Sequence, residues 1–460
     1  MFRPSKVEKK SAIPYLQFFF NALLLLMLFS TFCIAQDLEK KVDEYIEVHI
    51  KNGNFSGSIL IAQNGEILLS KGYGMANIEQ DVPNIAETKF RLGSVTKQFT
   101  AMAIMQLQEK GLLTVKDPLT KFIPDYPNGE KITIHHLLTH TSGIPNITDL
   151  PELQNIKTLN SLVEKTIEVF KHKPLDFKIG EKYQYSNSGY ILLGYIIEKV
   201  SGKSYEAYLK ENIFDPLDMK DSGYDHHRTI LKHRASGYFP GKDGVVNAEY
   251  IDMSIPHGGG GLYSTIEDMY RWDRALYTEK LVKKSSLDKM FKPFKNDYGY
   301  GWKIEQQLNR KCIRHAGGIE GFAAQISRYP EDNACVIVLS NFQHAPVNDI
   351  SRDLAAILFG ENYELPADQK IVEVDPGIYD AYVGTYEFEP DNVLNVTKED
   401  NRLFIAPPGQ PEVEIFPESE TKFLVKAFDA KITFVKNESG EVTKLIFHVG
   451  GNDMSAKKIR

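Results

Sequence analysis

The sequence predicts an α+β protein: one antiparallel sheet flanked by helices, followed by a small antiparallel β-barrel. Three observations carry that expectation. Apolar and polar residues alternate around Asn64-Gly65 in "SGSILIAQNGEILLSKGYGMAN", which is the signature of a β-hairpin. Strand patterns return from residue 296 in "YGYGWKIEQQ", "RKCIRHAGG" and "GFAAQISRYPEDNACVIVLSN", with helices and loops between the two regions. A sheet built from such distant pieces follows. Beyond residue 378, short alternating segments such as "YVGTYEF", "NVLNVTKED", "RLFIA", "KITFVKN" and "KLIFHV" succeed one another without helices, as in a small barrel or sandwich.

At the N-terminus, Arg3, Lys6, Lys9 and Lys10 precede the apolar run "NALLLLMLFSTFCIA", which ends in the small residues Cys33 and Ala35. This matches a signal peptide over residues 1–35 with cleavage after Ala35, and therefore export to a periplasm or the medium. An alternative keeps residues 15–35 as a membrane anchor, because the segment approaches the ~20 residues a span requires. Lipidation at Cys33 is disfavoured by the bulky Phe32 before it. In the remaining chain Cys312 and Cys335 are expected as two buried thiols in strands, although an oxidising compartment would permit a bridge.

A helix opens at Ser94 and reaches about Lys110, where Gly111 closes it; another, "NSGYILLGYIIEKVSG", stops at Gly202. A last helix at about Val347 to Phe359 completes a core domain of residues 36–360. Residues 361–378 read as a linker and 379–460 as the barrel. The net charge of −7, with no dense run of Lys and Arg, argues against a general nucleic-acid binder.

Ser94 and Lys97 lie one helical turn apart on one face. An un-ionised lysine there could take the serine proton, provided burial or nearby positive charge depresses its pKa. Ser-x-x-Lys recurs at Ser286/Lys289, Ser419/Lys422 and Ser455/Lys458, so the spacing alone selects nothing. Two further pieces set Ser94 apart. Tyr185-Ser186-Asn187 sits in a polar segment before a helix, where a tyrosine can act as phenolate base or proton relay and an asparagine can orient an amide. His315-Ala316-Gly317-Gly318 closes a strand with glycines that would let a backbone amide approach a bound acyl group. Tyr126/Asn128 and His257-Gly258-Gly259 imitate these pieces singly, but neither belongs to a complete ordered set.

With these three motifs in order, the chain resembles the serine β-lactamase and penicillin-binding-protein superfamily, in its class C-like branch of β-lactamases, D-Ala-D-Ala carboxypeptidases, D-aminopeptidases and esterases. "DPLTKFIPDYP", "LLTHTSGIP" and "GGGLYSTIEDMYRW" extend the resemblance over residues 40–360. It implies an all-helical subdomain beside the sheet, Ser94 as acylated nucleophile, Lys97 as its proton acceptor and Tyr185 as base or relay. Asn187 and Gly317 would contact the substrate, and the N–H groups of Ser94 and Gly318 would form the oxyanion hole. His315 would stand where the family has the lysine of Lys-Thr-Gly, as a substrate-binding residue that is largely neutral at pH 7. That favours a peptidase or esterase over an efficient β-lactamase. The last ~80 residues resemble the lipocalin-like barrel that follows some of these domains, by analogy of fold.

"PHGGGG" imitates a lipase oxyanion loop, but the chain has no G-x-S-x-G elbow. His135, His136 and His140 have a spacing that a metal could use, without an accompanying HExxH or thiolate set; neither metal nor cofactor is expected. Two functions remain. One is an exported serine hydrolase with a small-molecule or peptide substrate; the other is a penicillin or peptidoglycan sensor on the same fold with little turnover.

Overall fold

The computed structural model describes residues 36–365, 371–390, 392–408, 412–425, 430–449 and 452–460. The expected signal peptide at 1–35, its alternative as an anchor, and part of the linker lie outside the described residues. Helix α1 occupies 36–51. The hairpin forms as read, with β1 at Gly57–Gln63 and β2 at Glu66–Tyr73. Asn64 and Gly65 take φ values of 55° and 87°, the left-handed pair that a two-residue I′ turn requires.

Four later strands join that hairpin: β3 (Lys303–Gln307), β4 (Arg310–Ile319), β5 (Phe322–Tyr329) and β6 (Ala334–Ser340). The order is β3-β4-β5-β6-β1-β2, every pair antiparallel. β1 and β6, almost three hundred residues apart in the chain, pair from Gly57↔Ser340 to Gln63↔Ala334. Their side chains divide by the two-residue period of a strand. Ile59, Ile61, Val336 and Val338 pack with Leu38, Val42 and Ile350, which lie on the terminal helices α1 and Val347–Phe359. Leu60, Ala62, Ile337 and Leu339 pack with Phe99, Met102 and Trp272 on the other side. Cover on both faces explains why the strands read as continuous apolar runs. Cys312 and Cys335 are both buried and unbridged.

Two expectations about strands change. Residues 298–302 do not extend β3: Gly299 N–H donates to Trp302 O at 2.8 Å, and Gly301 has φ +77°. A Cβ on Gly301 would come within 2.7 Å of Lys97 O, so this turn is pressed against the helix after Ser94. The glycines after His315 do not end their strand either, because β4 stays paired with β5 as far as Ile319↔Phe322. The subdomain between β2 and β3 is mainly helical but also carries short strands, including Leu262–Ser264 and the hairpin Tyr238–Gly241/Gly244–Asn247.

Residues 384–458 form a closed barrel of eight strands in sequential order, consistent with the lipocalin-like expectation. It is fastened to the Tyr238–Asn247 hairpin through polar contacts. Arg402 donates to Asp243 Oδ1 at 2.7 Å and to Lys242 O at 2.8 Å, while Lys242 pairs with Glu399. A cavity of about 410 Å³ lies between hairpin and barrel, walled by Phe55, Met75, Pro240 and Val413 among others.

Candidate active site

The turn bearing Ser94 is fixed by its backbone before any side chain contributes. Phe90–Arg91 pairs with Tyr263–Ser264, and Leu92 N–H donates to Leu262 O at 2.8 Å. Gly93 (φ +49°) then reverses the chain into a single 3₁₀ turn, Gly93–Val95, from which helix α2 (Thr96–Glu109) continues. Ser94 thus lies in the 3₁₀ turn, two residues before the first residue of the α-helix. Strand β4 runs hard against this turn. A Cβ on Gly317 would sit 2.0 Å from Leu92 O and 3.0 Å from Ser94 N, and one on Gly93 would sit 2.8 Å from Gly318 O. Gly317, expected to touch substrate, is instead buried in this backbone-to-backbone contact and does not line the cleft. Gly318 is exposed, with open space where its Cβ would be, and lines the cleft together with Ser94.

Lys97 is fully buried. Its Nζ lies 3.0 Å from Ser94 Oγ, 2.8 Å from Asn187 Oδ1 and 2.8 Å from Gly259 O. None of these partners is charged, and burial holds the ammonium well below its ordinary pKa. A neutral amine has two hydrogens and one lone pair. The amide and carbonyl oxygens can only accept, so they take both hydrogens, and the lone pair is left to face the Ser94 hydroxyl.

Tyr185 lies in the segment before helix α3 (Asn187–Ser201). Its ring lies 4.3 Å from that of His140 and beneath Lys97, whose Nζ is 4.8 Å from the ring centre. The phenol oxygen is buried with no hydrogen-bond partner of normal geometry. Burial drives its pKa upward, and Ser94 is the neighbour that offsets part of the rise. Burial therefore favours the protonated phenol over the phenolate, which suits the relay. Asn187 lines the cleft, but its side-chain oxygen is engaged by Lys97 and its backbone N–H by Asn146 Oδ1 at 2.8 Å.

His315 is not on the cleft wall. It is 7% exposed in mid-strand, with Nδ1 2.5 Å from Ala316 O and Nε2 2.7 Å from Tyr298 Oη. Those partners assign Nδ1–H as donor and Nε2 as acceptor. Burial first, then the nearby Lys97, lowers its pKa to about 3. Burial keeps it neutral at physiological pH, and it does not line the cleft over Ser94, where a substrate-binding residue is expected. Tyr298, His140 and Gly259 were not singled out for the site from sequence. Gly259 belongs to the "HGGG" dismissed as a lipase imitation; His140 lies in "LLTHTSGIP", and Tyr298 in a stretch read as plain strand.

The imitators resolve individually. Ser286 donates to Glu109 at 2.5 Å, Ser419 caps a turn by accepting from Lys422 N–H, and Ser455 is in the last barrel strand. His135 meets Tyr300, His136 caps its own helix at Thr133, and His140 points into the tyrosine cluster. The cleft over Ser94 encloses about 240 Å³, with Ile147, Leu153, Ile191, Ile251 and Ile255 on its apolar side. Among the described residues, none of the barrel lines it.

The fold and this arrangement are those of the β-lactamase family, to which the chain belongs. The family profile described as Beta-lactamase matches residues 38–361, and one described as a domain of unknown function (DUF3471) matches 368–458. The chain is 30% identical over 450 residues to penicillin-binding protein 4* of Bacillus subtilis (strain 168), covering 92% of this chain and 100% of that protein. Among solved structures, the octameric penicillin-binding protein homologue from Pyrococcus abyssi superposes with a TM-score of 0.64 at 29% identity, over 91% of this chain and 99% of that one. A penicillin-binding protein from Bacillus halodurans gives 0.60 at 30% identity, over 69% and 98%. A D-amino acid amidase from Ochrobactrum anthropi SV3, 24% identical with a TM-score of 0.64, shares the fold over 71% of this chain and all of that one.

Proposed function

We propose that the protein is an exported serine hydrolase that cleaves amide or ester bonds through an acyl-enzyme on Ser94. The observation that carries this reading is the Ser94–Lys97 contact of 3.0 Å, with the other two Lys97 contacts made to acceptors only. As Ser94 Oγ attacks the acyl carbon, its proton passes to Lys97 Nζ. The oxyanion develops between the N–H groups of Ser94 and Gly318, which face one cleft. The Tyr185 phenol, placed beside Ser94 and Lys97, hands its proton to the departing amine or alkoxide and recovers one from the Lys97 ammonium, which returns to the neutral amine. Water then releases the acyl group. The names of the relatives support substrates related to peptidoglycan or D-amino acids, and neutral His315 argues against a site built around a substrate carboxylate. Export is supported by the basic and apolar pattern of residues 1–35.

The test treats the mature protein and Ser94→Ala with a p-nitrophenyl ester and a fluorescent penicillin, and reads the intact mass. Turnover and a mass adduct confined to the protein with Ser94 are expected. Undiminished ester hydrolysis in Ser94→Ala refutes the nucleophile. Lasting penicillin adduct without any turnover favours the sensor.

A further inference from the structure

The cleft over Ser94 has one charged residue in its lining among the described residues, Glu320. It follows Ile319, the last residue of β4, and sits two residues beyond Gly318. At the rise of a strand that is about 6–7 Å along the chain from the amide assigned to the oxyanion. The turn holding it is rigid. Gly321 (φ +80°) packs against Gly237, where an added Cβ would come within 2.5 Å of its Cα, and Gly321 N–H donates to Gln343 Oε1 at 2.9 Å.

Glu320 faces Lys157, whose Nζ lies 3.0 Å from Glu320 and 2.9 Å from Glu249. The lysine is 12% exposed and the Glu320 side chain 21%. Lys157 is also held by its backbone, its carbonyl accepting Asp252 N–H at 2.9 Å. Two carboxylates therefore share one ammonium, and the trio keeps one unbalanced negative charge at the cleft. On the adjoining wall Arg91 and Arg234 are held by Asp225 and Lys89 by Asp221, so among the described residues Lys157 is the cation that meets Glu320 directly. No substrate carboxylate finds a free cation here, because His315 is neutral and Lys97 is enclosed.

The geometry points to Glu320 as a specificity residue that accepts the free ammonium group of the substrate beside the scissile bond. The class of substrate is an amide or ester of an amino acid or peptide whose amino group is unblocked. This rests on the serine hydrolase reading above. When Glu320 turns to the substrate ammonium, Lys157 keeps Glu249, so no half-buried cation is left unpaired.

The experiment compares alanine p-nitroanilides, in both configurations, with their N-acetylated counterparts at about pH 6.5, where an α-amino group of pKa about 7.7–8.0 is charged. The wild-type protein is expected to prefer the unblocked anilide in kcat/KM. Glu320→Gln reduces that preference about tenfold, the scale of one lost charge-assisted hydrogen bond. Lys157→Met, which releases Glu320 from its partner, raises it. A purely structural strap predicts that both variants act alike on both substrates. That outcome, or an unchanged preference in Glu320→Gln, overturns the assignment. Ser94→Ala run alongside separates the two claims: anilide hydrolysis that persists in it refutes the catalytic reading whatever the preference shows.

Discussion

Replacing Lys97 by methionine tests the protonation state on which the chemistry depends, through stability rather than activity. Methionine keeps the length of the stem and removes the titrating nitrogen. Lys97 is enclosed by Ser94, Asn187, Gly259 and the rings of Tyr185 and Tyr190, with no carboxylate among them, and burial lowers its pKa. In the unfolded chain the same lysine titrates near its ordinary value of about 10.4. Between the lowered folded pKa and that value, the unfolded state binds more protons than the folded one. Stability therefore rises with pH across this window and is lost as pH falls towards the folded pKa. The slope is about 1.4 kcal/mol per pH unit where the folded amine is neutral and the unfolded one charged. Wild type should thus gain about 2.7 kcal/mol relative to Lys97→Met between about pH 7 and about pH 9, if the folded pKa lies below that range. Urea denaturation of the pair at several pH values, followed by circular dichroism, measures the difference with other titrations cancelling. Parallel stability curves would show that Lys97 stays charged when folded, and the lone-pair argument would fall with them. The acylation rate supplies a second reading, because it should rise with pH as Lys97 Nζ loses its proton.

Tyr185→Phe should lower turnover about 10²- to 10⁴-fold, the range for a lost general acid or base. Its melting temperature should be unchanged or higher, since the hydroxyl removed is buried and has no partner of normal geometry; a large loss of stability would instead make Tyr185 a structural residue. Two adjacent glycines should behave oppositely when changed to alanine. Gly317→Ala drives a methyl into Leu92 O and should lower thermal stability and activity together. Gly318→Ala meets nothing within 4 Å, so it should melt like wild type while its methyl crowds the acyl group and lowers kcat/KM. Equal melting losses in both, read by calorimetry, would refute the packing assigned to β4.

Much of the site was legible because its chemistry is carried by local patterns. Ser94 and Lys97 are placed by one helical turn, and Tyr185-Ser186-Asn187 by a polar stretch that starts a helix. The His315 strand shows in its alternation. What failed was inference from a residue's identity to its surroundings. The histidine was legible, but its neutrality comes from burial and from nearby Lys97, and its partner Tyr298 is brought beside it by the turn at Gly299–Trp302. Gly259 looked like part of a foreign motif until the fold set its carbonyl against Lys97. Glu320, Lys157 and Glu249 share no pattern at all, because their contact joins the end of one strand to two distant loops.

By itself the sequence determined the strand and helix segments, the β-hairpin turn, the order of the three motifs and hence the nucleophile proposed, since all of these depend on neighbours within a few residues. The tertiary structure alone decided which charges survive at the site. Pairing β1 with β6 and pressing β4 onto the Ser94 turn excludes water from Lys97, Tyr185 and His315, and desolvation shifts all three towards neutral forms. Burial is a property of the assembled layers, which is why no local pattern could announce it.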